Sequence, residues 1–249
     1  MKKMTRFYHA AAAALMCCAC TVHAAEEDEH ADGKPVKIDF KLTTSWYRSS
    51  DSNNANDINL RGNYGDHAAW FGQYRDHQNY QQSRAGYEFT QHLGASQIVW
   101  SAQAADGGFL GGSITAQLGD PIFGIVGFGR TNLNNYYNLN FDPNDAITLG
   151  LGTHINASTD LSLFQIHDDR LGTRQRVTHL YLHRTLSHTH RYSIDASYKT
   201  GLNSDGNDIK GVALTVTVAY RQYFLRLAHD QYANFSAATQ HRISFGIGF

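Results

Sequence analysis

The chain has three cysteines, and Cys17, Cys18 and Cys20 all stand within its first twenty residues. Beyond them it offers no thiol, so neither a disulfide framework nor a cysteine–zinc centre is available there. Proline is scarce, at 3 in 249 residues, and methionine equally so. No apolar run approaches the about 20 residues that a membrane-spanning helix needs. An excess of one charge is missing as well, since 21 lysines and arginines stand against 22 aspartates and glutamates. Without a clustered basic excess for phosphate contacts, no nucleic-acid partner is expected. Tyrosine, phenylalanine and glycine are the abundant residues, at 14, 13 and 22. That mixture suits twisted strands and tight turns, and its aromatic content argues against a disordered chain.

The first segment reads as a leader for export. Lys2, Lys3 and Arg6 precede an apolar run from Ala10 to Cys20, and Val22-His23-Ala24 sets small residues before Ala25. A positive start, a short apolar middle and a small-residue exit are the parts of a secretory signal peptide, here residues 1–24. No small-residue lipobox precedes a cysteine. Cleavage takes all three cysteines and leaves 18 of the 21 basic residues against 22 acidic ones. Residues 25–35, with Glu26–Lys34 reading EEDEHADGK, are expected to form a flexible acidic periplasmic leader. Residues 36–249 are expected to form one domain. With no long apolar segment left, entry into a membrane is open to this domain only as a closed β-barrel.

From Val36 onward the hydropathic period is two. Ile38, Phe40, Leu42 and Trp46 alternate with Lys37, Asp39, Lys41, Thr43 and Ser45. Val212, Leu214, Val216, Val218 and Tyr220 do the same against Ala213, Thr215, Thr217 and Ala219. Alternation of this kind marks a strand with one apolar and one wet face. Fourteen candidate strands follow, near 36–49, 58–65, 68–76, 83–91, 95–105, 109–118 and 122–131, then 145–155, 159–167, 175–186, 190–200, 209–220, 222–229 and 239–249. Their connections alternate between short and long, with 131–145 the longest. An even strand number, short turns at one end and longer loops at the other are features of outer-membrane barrels. The expected fold is therefore all-β, a single antiparallel up-and-down transmembrane barrel of about 12–14 strands. A soluble sandwich or lipocalin-like barrel has the same alternation. Aromatics near strand ends (Trp46, Trp70, Tyr74, Tyr87, Phe89, Trp100, Tyr192, Tyr198) and a heavily charged polar face favour the membrane form.

The C-terminal segment His241–Phe249, HRISFGIGF, resembles the closing strand of Gram-negative outer-membrane proteins. The resemblance covers this strand, the leader and the general strand pattern. It implies an outer-membrane location in a Gram-negative bacterium, with outer-membrane lipids and lipopolysaccharide as surroundings. It also implies that Phe245, Ile247 and Phe249 are read by the barrel assembly machinery during biogenesis.

Strand parity assigns Lys37, Lys41, Arg61, Arg75, Arg84, Glu88, Arg226 and Arg242 to the lumen, with basic residues in excess. It assigns Trp70, Tyr74, Tyr87, Phe89, Tyr223, Leu225, Phe245 and Ile247 to the lipid. The Asn-rich loop 131–145 is expected to fold into the lumen as a constriction or to cover its mouth, through Asn138, Asn140, Asp142, Asn144 and Asp145. It lacks the glycine and distal glutamate of a calcium hand. His167-Asp168-Asp169-Arg170 reads as a loop with local ion pairs, although its carboxylates and histidine suit a cation or acid–base work. His179 and His183 share a strand face, but roughly 13 Å separates them at ~3.3 Å per residue, too far for one zinc, and they read as interface residues near a turn. No cofactor, metal or phosphate-loop motif emerges.

Two function classes fit. The first is a small channel for polar or anionic solutes, lined by charged and hydroxyl side chains. The second is an outer-leaflet lipid-modifying enzyme, a lipid A or phospholipid hydrolase, which calls for a histidine with an acid and a hydroxyl at the lipid-facing rim; no motif of either hydrolase family is present. A structural barrel without transport is a third reading.

Overall fold

A computed structural model of the chain describes residues 37–139 and 142–249. The expected signal peptide, acidic leader and Asn140 lie outside the described residues. Fourteen strands occupy the rest. They are β1 (Asp39–Ser49), β2 (Ala55–Tyr64), β3 (His67–Asp76), β4 (Gln81–Leu93) and β5 (Ser96–Ala105). Then come β6 (Phe109–Leu118), β7 (Ile122–Thr131), β8 (Ala146–Asn156), β9 (Thr159–Asp168) and β10 (Arg176–Thr185). The last four are β11 (His190–Leu202), β12 (Asp208–Tyr220), β13 (Tyr223–Asp230) and β14 (Gln240–Gly248). Single turns of 3₁₀-helix, Asp106–Gly108 and Ala233–Phe235, interrupt two of the connections.

Each strand pairs antiparallel with its sequence neighbours, and β1 pairs with β14 to close the barrel. The seam runs from Lys41↔Gly248 to Ser49↔Gln240. Beyond it, Phe40 and Phe249 exchange two backbone hydrogen bonds of 2.9 Å. Closure leaves no edge strand, which is the condition for a sheet to cross a bilayer. Hairpins at the end where β1 begins and β14 ends are tight. Tyr64 pairs with His67 and Leu93 with Ser96, so that only two residues turn the chain at each. Gly65 and Gly94 open these turns at φ 55° and 62°, the left-handed region that such hairpins demand. The other end carries the longer connections. The two are called here the terminal end and the loop end.

The distribution of side chains is inverted relative to a soluble barrel. Leu151, Ile122 and Phe71 are 65%, 69% and 57% exposed on the outside. Lys41, Arg61, Arg84, Glu88, Lys199, Arg226 and Arg242 are buried, together with Asp57, Asp195 and Asp230. In water the apolar outside would be costly; in hydrocarbon it is the required surface, and the charged inside pairs between nearby strands along the inner wall. No helix among the described residues is long and apolar enough to cross a membrane.

Two of the expected lumen residues point elsewhere. Arg75 is exposed on β3, where the inward parity belongs to Ala68, Trp70, Gly72, Tyr74 and Asp76. Trp70 and Tyr74, expected to face lipid, therefore face the interior, and Tyr74 is among the most completely buried side chains. The hairpin fixes this register. Because Tyr64 pairs with His67, Arg61 stands opposite Trp70 and Asp57 opposite Tyr74. Directly opposed residues share a face, so an inward Arg61 forces Trp70 and Tyr74 inward and Arg75 outward. Lys37 precedes β1 and its side chain is largely exposed, 4.0 Å from Asp39, outside the wall of the barrel. His179 is likewise no interface residue: it is 3% exposed, on the inner face of β10.

Candidate functional site

The connection between β7 and β8 enters the barrel and crosses it. Tyr137 is held on the β3–β4 wall, stacking on Tyr74 at 4.6 Å between ring centroids. Its backbone N–H donates to Gln82 Oε1 at 2.8 Å, and its carbonyl accepts from Gln82 Nε2 at 3.2 Å. The same residue reaches β14, where its hydroxyl accepts from Gln240 Nε2 at 3.2 Å. Leu139 is 4% exposed, and its carbonyl accepts from Arg242 Nη1 at 3.1 Å. Asp142 Oδ1 lies 3.2 Å from His179 Nε2 on β10, while the other ring nitrogen of His179 meets Asp195 at 3.0 Å. Tyr136 stacks on Phe109 of β6 at 4.2 Å. One segment thus touches four separate sectors of the wall: β3–β4, β6, β10 and β14.

Polar side chains fold this segment on itself. Asn138 Nδ2 donates to the Asp142 carbonyl at 2.7 Å and to Asn144 Oδ1 at 2.9 Å. Asp145 accepts from the Thr131 hydroxyl and N–H and from Arg170 Nη1, which ties both ends of the loop to the neighbouring connection. Asn138, Asp142 and Asn144 are thereby brought together in a folded insert, while Asp145 fastens its base. The next loop is knotted by its own residues. Asp168 accepts from Arg170, Leu171 and Thr173, and Asp169 makes a bidentate pair with Arg130. The Arg130 guanidinium holds the Asp169 carboxyl below the ordinary carboxylate range.

Beneath the insert lies a cavity lined by Arg61, Trp70, Arg84, Glu88, Tyr136 and Asp142, among others. Arg61 makes two bonds to Glu88, at 3.1 and 2.5 Å. Arg84 meets Asp57 at 2.7 Å beside the Trp70 ring. Across the lumen, Lys199 meets Asp230 at 2.5 Å. Towards the terminal end, Lys41 sits 4.5 Å over the Phe224 ring, with the Arg226 guanidinium 5.7 Å from the same ring. Ser45 donates to Ser244 beside them at 2.8 Å. His154 and His183 share the carboxylate of Asp160 at 2.6 and 3.4 Å on the inner face of the opposite wall.

The excess of inward basic residues expected from parity gives way to a balance. Among the described residues, buried bases (Lys41, Arg61, Arg84, Lys199, Arg226, Arg242) and buried acids (Asp57, Asp76, Glu88, Asp145, Asp195, Asp230) are equal in number. Along the axis the two signs are mixed, with a small net difference between the ends. Towards the terminal end Lys41, Arg61 and Arg226 stand with Glu88, and at or near the loop end Asp57, Asp76, Asp145 and Asp230 stand with Arg84, Lys199 and Arg242. Glu88 is assigned to the lumen by parity, whereas Asp57 lies just outside the candidate strand 58–65 and Asp230 just past the end of 222–229, so neither carries an expected face.

No family model matches the chain, and no curated protein matches it. Solved structures do. The outer-membrane protein Omp33 of Acinetobacter baumannii is similar with a TM-score of 0.54 at 9% identity, over 87% of this chain and 100% of that one. The KdgM porin aligns over 84% of this chain and 99% of that one, with a TM-score of 0.48 at 6% identity. An OmpF structure from Salmonella typhi aligns over 86% and 97%, at 0.46 and 8%. The chain has a porin-like, outer-membrane type of β-barrel fold.

Proposed function

We propose that the protein is a narrow channel for small polar solutes, with an anion-attracting step in the terminal half of its lumen. The carrying observation is the insert 132–145, anchored on four sectors of a charged, hydroxyl-rich interior. A barrel that served only as a membrane anchor has no need of a polar insert there. A solute entering from the loop end meets the amides and carboxylates of the insert. It then passes the Arg61–Glu88 and Arg84–Asp57 pairs and reaches Lys41 and Arg226. Charges paired along the wall keep the path wet without the full desolvation cost of isolated ions.

The proposed setting is the outer membrane of a Gram-negative bacterium. Residues 1–24 would be removed on export, residues 25–35 would remain as a periplasmic leader, and the assembly machinery would read Phe245, Ile247 and Phe249. Lipopolysaccharide would surround the loop end. Planar-bilayer recording on the purified, heat-modifiable barrel tests the reading. Discrete steps of small conductance are expected; a folded barrel that never conducts would overturn it.

A further inference from the structure

The outward position of Arg75 belongs to a wider asymmetry. Among the described residues, six arginines and lysines occupy outward-facing strand positions. Five of them, Arg48, Arg75, Arg130, Arg176 and Lys210, stand at the loop end, and one, Arg184, at the terminal end. Among the described residues the single carboxylate at such a position is Asp208, paired with Arg174 at 3.1 Å. The densest arc spans the seam. Arg48 of β1 pairs with His241 of β14, which pairs with His229 of β13. The two imidazoles meet with Nδ1 atoms 3.4 Å apart. One rung towards the terminal end, Arg75 pairs with Asn56, and Asn56 with Trp46, whose ring is 51% exposed on the apolar surface.

We infer that this arc, Arg48–His241–His229 with Arg75 beside it, is a docking site for a membrane lipid whose headgroup carries more than one phosphate. Arginine forks suit phosphate oxygens, and the indole below marks the depth at which acyl chain gives way to headgroup. Two guanidiniums without a carboxylate on the same face would be a cost in an uncharged leaflet, and an attraction in one covered by polyphosphorylated lipid. The occupant we commit to is the diphosphorylated glycolipid of the outer leaflet, seated across the β1–β14 seam. The inference rests on the proposed membrane setting and not on conduction.

The test uses the folded, mature full-length protein in detergent, with lipid A bearing both phosphates or neither as the probe and native mass spectrometry as the readout. Retention of the diphosphorylated lipid is expected to exceed that of the dephosphorylated one at least tenfold. Arg48→Gln with Arg75→Gln should bring the two together, Arg48→Lys with Arg75→Lys should keep most of the difference, and Arg184→Gln should leave it unchanged. Equal retention of both lipids by the unaltered protein overturns the proposal without need of any variant. A preference that survives the double glutamine substitution also overturns it. A barrel that conducts but does not discriminate the lipids refutes the docking arc alone, and one that discriminates but does not conduct refutes the channel alone.

Discussion

At the scale of single residues, neighbours along a strand live in different solvents. Leu225 is 46% exposed on the outside of β13, and Arg226, next to it, is 4% exposed inside, with its Nε donating to Thr217 at 3.2 Å. Leu225→Arg puts a guanidinium into the apolar belt and should cost about 2 kcal/mol, read as a lower urea midpoint for the folded band on a gel. Arg226→Leu should fold normally and weaken preference for anions, read from reversal potentials across a salt gradient. The Arg61–Glu88 pair calls for a different pattern. Glu88→Leu alone leaves a buried guanidinium without its carboxylate and should destabilise by about 3–5 kcal/mol, whereas Arg61→Leu with Glu88→Leu should cost far less. A loss in the double variant equal to the sum of the Glu88→Leu and Arg61→Leu losses would show that the charges act independently. The alternation that reveals such residues is visible in the sequence, and the polar members it marks on β1, β2, β4, β12, β13 and β14 face inward. On β3 the presence of two aromatics outweighed the pairing arithmetic of the Gly65-Asp66 turn. Arg61 and Arg75 cannot both face inward across a two-residue hairpin, so the correct register was contained in the sequence.

At the scale of elements, the insert between β7 and β8 has no periodic signal, because its conformation is set by the wall it touches. Its length and its asparagines were legible. That Tyr137 would stack on Tyr74, or that Asp142 would reach His179, was not, since both partners come from strands distant in sequence. Tyr137→Ala removes the stack and the Gln240 bond together, and Asp142→Asn removes the charge facing His179. Both variants together should free the insert from two of its anchors, raising single-channel conductance and adding rapid fluctuations while the barrel stays heat-modifiable. Unchanged conductance in that variant would place the insert outside the conducting path. The seam is the other element with a stated consequence. Phe249 is 62% exposed, stacks on Phe40 at 5.8 Å and closes two backbone hydrogen bonds with it. Phe249→Ala keeps the backbone bonds and loses the ring, so the folded fraction in cells should fall moderately. Deleting Phe249 loses both and should lower it further, with fragments appearing in the periplasm.

At the scale of the molecule, the net lumen charge differs between the two ends of the proposed channel. Ions entering from the terminal end first meet Lys41 and Arg226, and ions entering from the loop end meet Asp57, Asp76 and Asp230 interspersed with Arg84 and Arg242. Unequal fields at the two ends of a narrow pore concentrate carriers under one polarity and deplete them under the other. Currents at equal and opposite voltages should therefore differ in magnitude, and Lys41→Glu with Arg226→Glu should reduce or reverse the difference. Equal currents at both polarities in the unaltered protein would mean that the buried charges are screened from the path.

The pairing of β1 with β14 joins the first and last strands to one another, and a ring has no first strand to peel. The rungs that complete the cylinder belong to β14, so thirteen strands precede it before the topology can exist. Until that moment both terminal strands present unsatisfied backbone groups, and afterwards none of the fourteen does so alone. Birth and breakdown of the cylinder are thus governed by a single junction, and resistance to unravelling should depend on those nine rungs more steeply than on any other pair of neighbours.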